Sequence, residues 1–265
     1  VKTLKIWAAA NQKGGVGKTT TVVSLAGQLV RRGCTVLVVD LDPHGSMTAY
    51  FGHDPDELEP TVYDLFQPQP PAVASLCLPT SVEGLRLLPA STALATLDRQ
   101  LGTQEGKGLV LKRALLSLGD EFDYVLLDSP PTLGILLVNA LAAAEHLLLP
   151  VQTEFLALKG LERMMRTITM IGKALNKTVP YTIVPTLFDR RTRAALQALR
   201  TLRERYPQQL WDSVIPVDTQ FREASKRGVP LTTVSSSSRG ALAYEALLNT
   251  LLGQDGDTRL QAASN

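Results

Sequence analysis

The stretch that decides the fold is Leu4-Lys5-Ile6-Trp7-Ala8-Ala9-Ala10-Asn11-Gln12-Lys13-Gly14-Gly15-Val16-Gly17-Lys18-Thr19-Thr20. Its first seven residues form an apolar run that reads as a strand buried on both faces. Beyond the glycines, Val22, Leu25, Ala26, Leu29 and Val30 fall at i, i+3, i+4, i+7 and i+8, which predicts an amphipathic helix. Gly33 stands where such a helix ends, and a second apolar run, Val36–Val39, leads into Asp40. The segment from Leu4 to Asp40 is therefore a βαβ unit.

A glycine loop between a strand and a helix is built for phosphate. Glycines let backbone N–H groups turn toward phosphate oxygens, and the helix N-terminus adds partial positive charge. Gly14, Gly15, Val16, Gly17, Lys18, Thr19 and Thr20 form the expected cradle. Lys18 serves as a point charge for β- and γ-phosphates, and the Thr19 hydroxyl is placed to ligate Mg²⁺. The usual pattern requires glycine at position 12, where this chain has Gln12. Lys13 adds a second lysine that a single nucleotide site does not need. On position alone it is equally a solvated surface residue.

Working outward, Leu85–Leu88, Tyr124–Leu127, Leu147–Pro150, Tyr181–Val184 and Ser213–Ile215 read as further short strands. Tyr244, Leu247, Leu248, Leu251 and Leu252 predict a closing helix. Asp54–Pro60 and Gln67–Pro71 read as surface connections. The expected fold is α/β: a single doubly wound, mostly parallel sheet with helices on both faces. It spans 1–252, with a polar tail over 253–265.

Composition narrows the function classes. The net charge of +2 is too small for a polybasic protein, so any nucleic-acid surface must be a local patch. Cys34 and Cys77 make neither a disulfide framework nor a Cys-x-x-Cys metal pair, which fits a reducing cytoplasm. The most apolar stretch, Leu133 to Val151, is broken by Asn139, Glu145, His146 and Pro150, so no membrane span is expected. His44, His53 and His146 show no ligand spacing.

Lys13-Gly14-Gly15-Val16-Gly17-Lys18-Thr19-Thr20 resembles the deviant Walker A motif of the ParA/MinD family of P-loop ATPases. Asp40-Leu41-Asp42-Pro43-His44-Gly45 resembles that family's switch I, and Leu127-Asp128-Ser129-Pro130-Pro131 its Walker B and switch II. Pro150-Val151-Gln152-Thr153-Glu154 is similar to a further ParA stretch. The resemblance implies ATP and Mg²⁺ as cofactors, with slow, partner-stimulated hydrolysis to ADP and phosphate. It implies a homodimer formed on ATP binding, in which Lys13 reaches the partner's phosphates. It makes Asp42 the water-orienting residue and Asp128 an acid in the outer shell of the metal, so the expected metal-site residues are Thr19, Asp42 and Asp128. The base would lie near Phe188 and Pro216, and Phe188 is as apt for packing as for stacking.

Members of this family ride on a surface. The tail carries no basic amphipathic face for a membrane. Between Asp189 and Arg239, ten basic residues oppose five acids, a local balance of +5. Arg193, Arg200, Arg203, Arg222, Lys226 and Arg227 are the candidate contacts for non-specific DNA. Gln220 stands where an arginine of chromosomal Soj-type relatives belongs.

Asp42–His53, Ser91–Leu97 and Thr182–Arg191 resemble the ParC ATPases of chemotaxis gene clusters, which implies chemotaxis arrays at a cell pole as cargo and a ParP-like partner. The alternative cargo is a plasmid or chromosome, with a ParB-like partner on nucleoid DNA. A nucleotide-dependent scaffold, with slow hydrolysis as a timer, is a third reading.

Overall fold

The computed structural model describes residues 4–101, 106–155 and 157–255. Seven strands form one sheet: β1 (Lys5–Ala9), β2 (Val36–Asp40), β3 (Leu78–Pro79), β4 (Leu85–Leu88), β5 (Tyr124–Asp128), β6 (His146–Gln152) and β7 (Tyr181–Thr186). Their order is β3-β4-β2-β5-β1-β6-β7, and only the short β3–β4 pair is antiparallel. The helices are α1 (Lys18–Arg31), α2 (Ser46–Tyr50), α3 (Leu97–Leu101), α4 (Val110–Leu116), α5 (Ile135–Ala143), α6 (Ala157–Leu175), α7 (Arg193–Arg205), α8 (Gln220–Arg227), α9 (Leu231–Val234) and α10 (Arg239–Asp255).

The sheet is apolar on successive residues because it separates two cores. Ile6, Ala8, Leu37, Val39, Val125 and Leu127 face α4, α5 and α6. Trp7, Ala9, Val36, Val38, Tyr124 and Leu126 face α1 and α10. Alternation along each strand assigns neighbours to opposite layers. Leu25 and Leu29 of α1 meet this second core with Leu247 and Leu248 of α10, all fully buried. Each contributes about 1.5–3 kcal/mol by leaving water. Gly27 lets α9 approach α1, since a Cβ there would sit 2.4 Å from the Pro230 Cβ.

Strand β1 lies between β5 and β6, and the chain leaves it first toward β2 and later, from β5, toward β6. This reversal opens the crevice at the carboxyl ends of the strands, the place where open α/β sheets bind ligands. Cross-strand register puts Ala9 opposite Asp128, and Asp128 opposite Asp40.

Three expectations need correction. Ser213–Ile215 is not a strand. The segment follows β7 through Ile215 N–H to Pro185 O (2.8 Å) and Phe188 N–H to Ile215 O (3.1 Å), with an isolated bridge between Phe188 and Pro216. Pro185 lacks the N–H that would add a bond to this segment, and Leu187, at φ +51°, interrupts the extended backbone. Leu4 and Ala10 flank β1 rather than belonging to it. The closing helix runs on through Gly253 to Asp255, and the remainder of the expected tail, 256–265, lies outside the described residues.

Candidate functional site

The phosphate loop is held by polar side chains from distant strands. Buried Asn11 donates from Nδ2 to Pro150 O (2.7 Å) and accepts the Lys13 N–H at Oδ1 (2.9 Å). The Thr186 hydroxyl donates to Val16 O (2.8 Å), tying the loop to β7. Gly17 caps α1 with φ +91°, a left-handed conformation that glycine adopts without a Cβ penalty. No side chain caps α1 and no acid lies in its first turn. Its orphan N–H groups are left for an anion.

Lys18 is only 8% exposed. Burial lowers its pKa, opposed by the charges of Asp128 and Asp42. Its neighbours are carboxylates that end adjacent strands. Asp40 is fully satisfied: Oδ2 accepts the Thr48 N–H and hydroxyl (both 2.8 Å), and Oδ1 accepts the Asp42 N–H (3.1 Å). Asp128 accepts the Thr19 hydroxyl at Oδ2 (2.5 Å), while its Oδ1 is buried with no partner. Burial first, and then the Asp40 charge beside it, push the Asp128 pKa up. Burial raises Asp40 as well, but its three donors favour the charged form. Asp128 is therefore the member of the pair that most needs a positive charge.

These residues fit a magnesium ion. Among the described residues no cluster of three His, Cys, Asp or Glu side chains is placed to cage a metal. Mg²⁺ ordinarily draws on one or two protein oxygens, water and substrate phosphates. The Thr19 hydroxyl and the unpartnered Asp128 oxygen supply that kind of donor set. Asp42, on the loop after β2, accepts the His44 N–H at Oδ1 (3.0 Å) and lies 2.9 Å from its Nδ1.

Lys13 is half-exposed, but its ammonium is paired rather than free. Its Nζ donates to Gln152 Oε1 (3.3 Å), the last residue of β6, and to Glu154 Oε1 in the turn that follows. Gln12, the departure from the usual loop pattern, donates to the Thr167 hydroxyl on α6 (2.8 Å). Gly14 and Gly15 have open space where a Cβ would stand.

The other expected residues follow β7 or lie on α7 and α8. Phe188 packs against the larger core, while its neighbour Leu187 takes φ +51° and is exposed. Pro216 is half-buried beside it. Arg193, Arg200 and Arg203 on α7, and Arg222, Lys226 and Arg227 on α8, are all exposed. Arg203 donates to Asp212 O (3.3 Å), and Lys226 pairs with Glu223 (3.4 Å). Asn11, Thr186 and the Glu154 partnership escape sequence reasoning, since each joins residues more than a hundred positions apart.

Comparison with known proteins agrees with this geometry. A family model described as an AAA domain matches residues 4–181. The chain is 36% identical over 241 residues to the sporulation initiation inhibitor protein Soj of Bacillus subtilis, covering 91% of this chain and 95% of Soj. It is 34% identical to the chromosome partitioning protein ParA of Caulobacter vibrioides, over 98% of each chain. Among solved structures, cobyrinic acid a,c-diamide synthase from Mycobacterium smegmatis with bound ADP and magnesium superposes with a TM-score of 0.82. It shares 36% identity over 94% of both chains. By sequence, sheet order and loop, the chain belongs to the ParA/Soj-like family of partitioning P-loop ATPases.

Proposed function

We propose that the chain is an ATP-driven positioning switch that binds ATP with Mg²⁺, dimerises, and leaves its surface after hydrolysis to ADP and phosphate. The observation that carries this is the buried Lys18 beside the unpartnered Asp128 oxygen, at an uncapped helix start. Gly14 to Thr20 cradle the phosphates, Lys18 faces the β- and γ-phosphates, and Thr19 and Asp128 hold the ion directly and through water. Bound Mg²⁺ supplies charge neutralisation at the phosphates. Asp42 orients the attacking water. The adenine base rests near Leu187, Phe188 and Pro216.

Dimerisation is supported by exposed apolar side chains on the loops that follow the strands: Leu133 after β5, Phe155 after β6 (76% exposed), Leu187 after β7, and Val217. In the dimer Lys13 reaches the partner's phosphates and supplies transition-state charge. Within one chain Lys13 is occupied by Glu154, which accounts for slow basal turnover and for stimulation by a protein partner.

The cargo we propose is a chemotaxis array at a cell pole, with a ParP-like partner, on the resemblance of Asp42–His53, Ser91–Leu97 and Thr182–Arg191. Thr48 of the first segment meets the residue just before the second, its Oγ1 accepting the Ala90 N–H (2.9 Å). Chromosome or plasmid partition with a ParB-like partner is the second reading, favoured by the relatives and by the exposed cations of α7 and α8. No helix of the described residues is long and apolar enough to cross a membrane, and the composition suits the cytoplasm. A fluorescent fusion decides between them. A single polar focus that vanishes when the chemotaxis genes are deleted supports the array. A nucleoid pattern indifferent to them supports partition.

A further inference from the structure

Helix α6 carries four exposed cations, Lys159, Arg163, Arg166 and Lys173, at i, i+4, i+7 and i+14. At 3.6 residues per turn they fall within an arc of about 80° and extend for about 21 Å. Met170, 54% exposed, lies inside the same arc. The one acid of the helix, Glu162, is taken by Arg205 from α7. None of the four cations forms an ion pair among the described residues.

Beside the C-terminal half of this stripe lies an open groove of about 410 Å³, with Met165, Ile168, Thr169, Val179 and Tyr181 among its lining and Lys173 on its rim. The groove is preformed. Lys177, at its end, donates from Nζ to Ala142 O (2.8 Å) and Ala144 O (2.6 Å), which fixes the turn after α6 to the end of α5. A rigid surface binds without an ordering cost.

We infer that the outer face of α6 and its groove form a docking surface for an acidic amphipathic helix of a partner protein. Charge complementarity selects acids for the stripe, and the groove selects apolar residues on the adjoining face. Duplex DNA matches the cations alone, because nucleic-acid surfaces are polar and charged and leave the groove and Met170 unused. The inner side of α6 reaches the nucleotide loop through Thr167 and Gln12, and the turn before it supplies Glu154 to Lys13. An occupant of α6 therefore sits on the helix that holds Gln12 and that follows the turn holding Lys13.

The test is fluorescence anisotropy on nucleotide-free full chain with three probes. The first is an 18-residue helical peptide with glutamates on one face and leucines on the adjoining one. The second replaces the leucines with serine, and the third is a random duplex. The first peptide should bind at least tenfold tighter than the second. Arg163→Glu with Arg166→Glu should weaken it at least tenfold, and Met170→Glu several-fold. All three positions are exposed, and circular dichroism checks that the variants fold. Equal affinity for the two peptides overturns the proposal, as does a peptide affinity that ignores the reversals. Reversals that abolish duplex binding while the peptides never bind assign the stripe to nucleic acid instead. Because no nucleotide is present, failure here leaves the ATP reading standing, and failure of that reading leaves this one standing.

Discussion

The crevice and the outer helices of this chain treat polar groups in opposite ways. In the crevice, Asn11, Lys18, Asp40 and Asp128 are buried, and each side-chain polar atom of Asn11 and Asp40 has a hydrogen-bond partner. On α6, α7 and α8 the cations are exposed and mostly unpaired. Burial makes each unpaired polar atom costly, so the orphan oxygen of Asp128, with Trp7 Nε1 one of two such atoms among the described residues, is informative in a way that an exposed arginine is not. Buried polarity names the chemistry, whereas exposed charge names only the sign of what comes next.

The largest effect is expected inside the crevice. Lys18→Ala should lower ATP affinity roughly 100-fold, the upper end for a charge-assisted contact, without unfolding the chain. Titration with a fluorescent ATP analogue reads it, and wild-type affinity would remove the crevice from the comparison.

Asp128→Asn probes the cost of the same site. The folded-state pKa of Asp128 is raised above its unfolded value, so its neutral form favours folding. Stability is then highest at acid pH and falls as pH rises from the ordinary carboxylate range toward about 8. The amide escapes that loss. The nucleotide-free variant should melt higher than wild type, with a gap that widens between pH 5 and pH 8, while Mg²⁺-dependent ATP binding weakens. For a chain of this size each kcal/mol is worth about 2–4 °C. A gap that narrows with pH would mean the carboxylate is stabilised as an anion.

Glu154→Ala lies on the border between the two regions. Releasing Lys13 from its own chain should lower the protein concentration needed for ATP-dependent dimerisation several-fold, as read by light scattering. An unchanged threshold would make the Lys13–Glu154 pair incidental.

The smallest effect belongs to the surface. Removing Arg193 and Arg200 together should weaken binding to any duplex alike. Each lost phosphate contact should reduce the salt slope of log K by about 0.9. Mobility shifts across a salt series measure it. A loss confined to one duplex sequence would contradict the picture of solvated, unspecific charge.

This contrast also sets what was legible in the sequence. The loop from Gln12 to Thr20 is contiguous, and Asp40 and Asp128 end apolar runs, so spacing alone places them beside one crevice. The sheet's two-sided burial was legible in Val36–Val39 and Tyr124–Leu127. Three things were not. The partner of Gln12 lies on α6 and those of Lys13 at and just past the end of β6, and although Pro150–Glu154 stood out as a stretch, nothing local marks the pairings. The two-residue β3 is too short for a period, and Pro185 with the left-handed Leu187 left isolated bridges where a strand was expected. The charge count between Asp189 and Arg239 passed over the α6 stripe, because Lys159, Arg163, Arg166 and Lys173 are spread among apolar residues and align only once the helix is built.

The account turns on Lys13 acting across two chains, and light scattering with ADP and then with ATP and Mg²⁺ addresses it directly. Wild type should be monomeric with ADP and dimeric with ATP. Lys13→Ala should bind ATP yet remain monomeric in both, and Asp42→Ala should stay dimeric without turnover. A Lys13→Ala protein that dimerises and hydrolyses ATP like wild type would contradict the account.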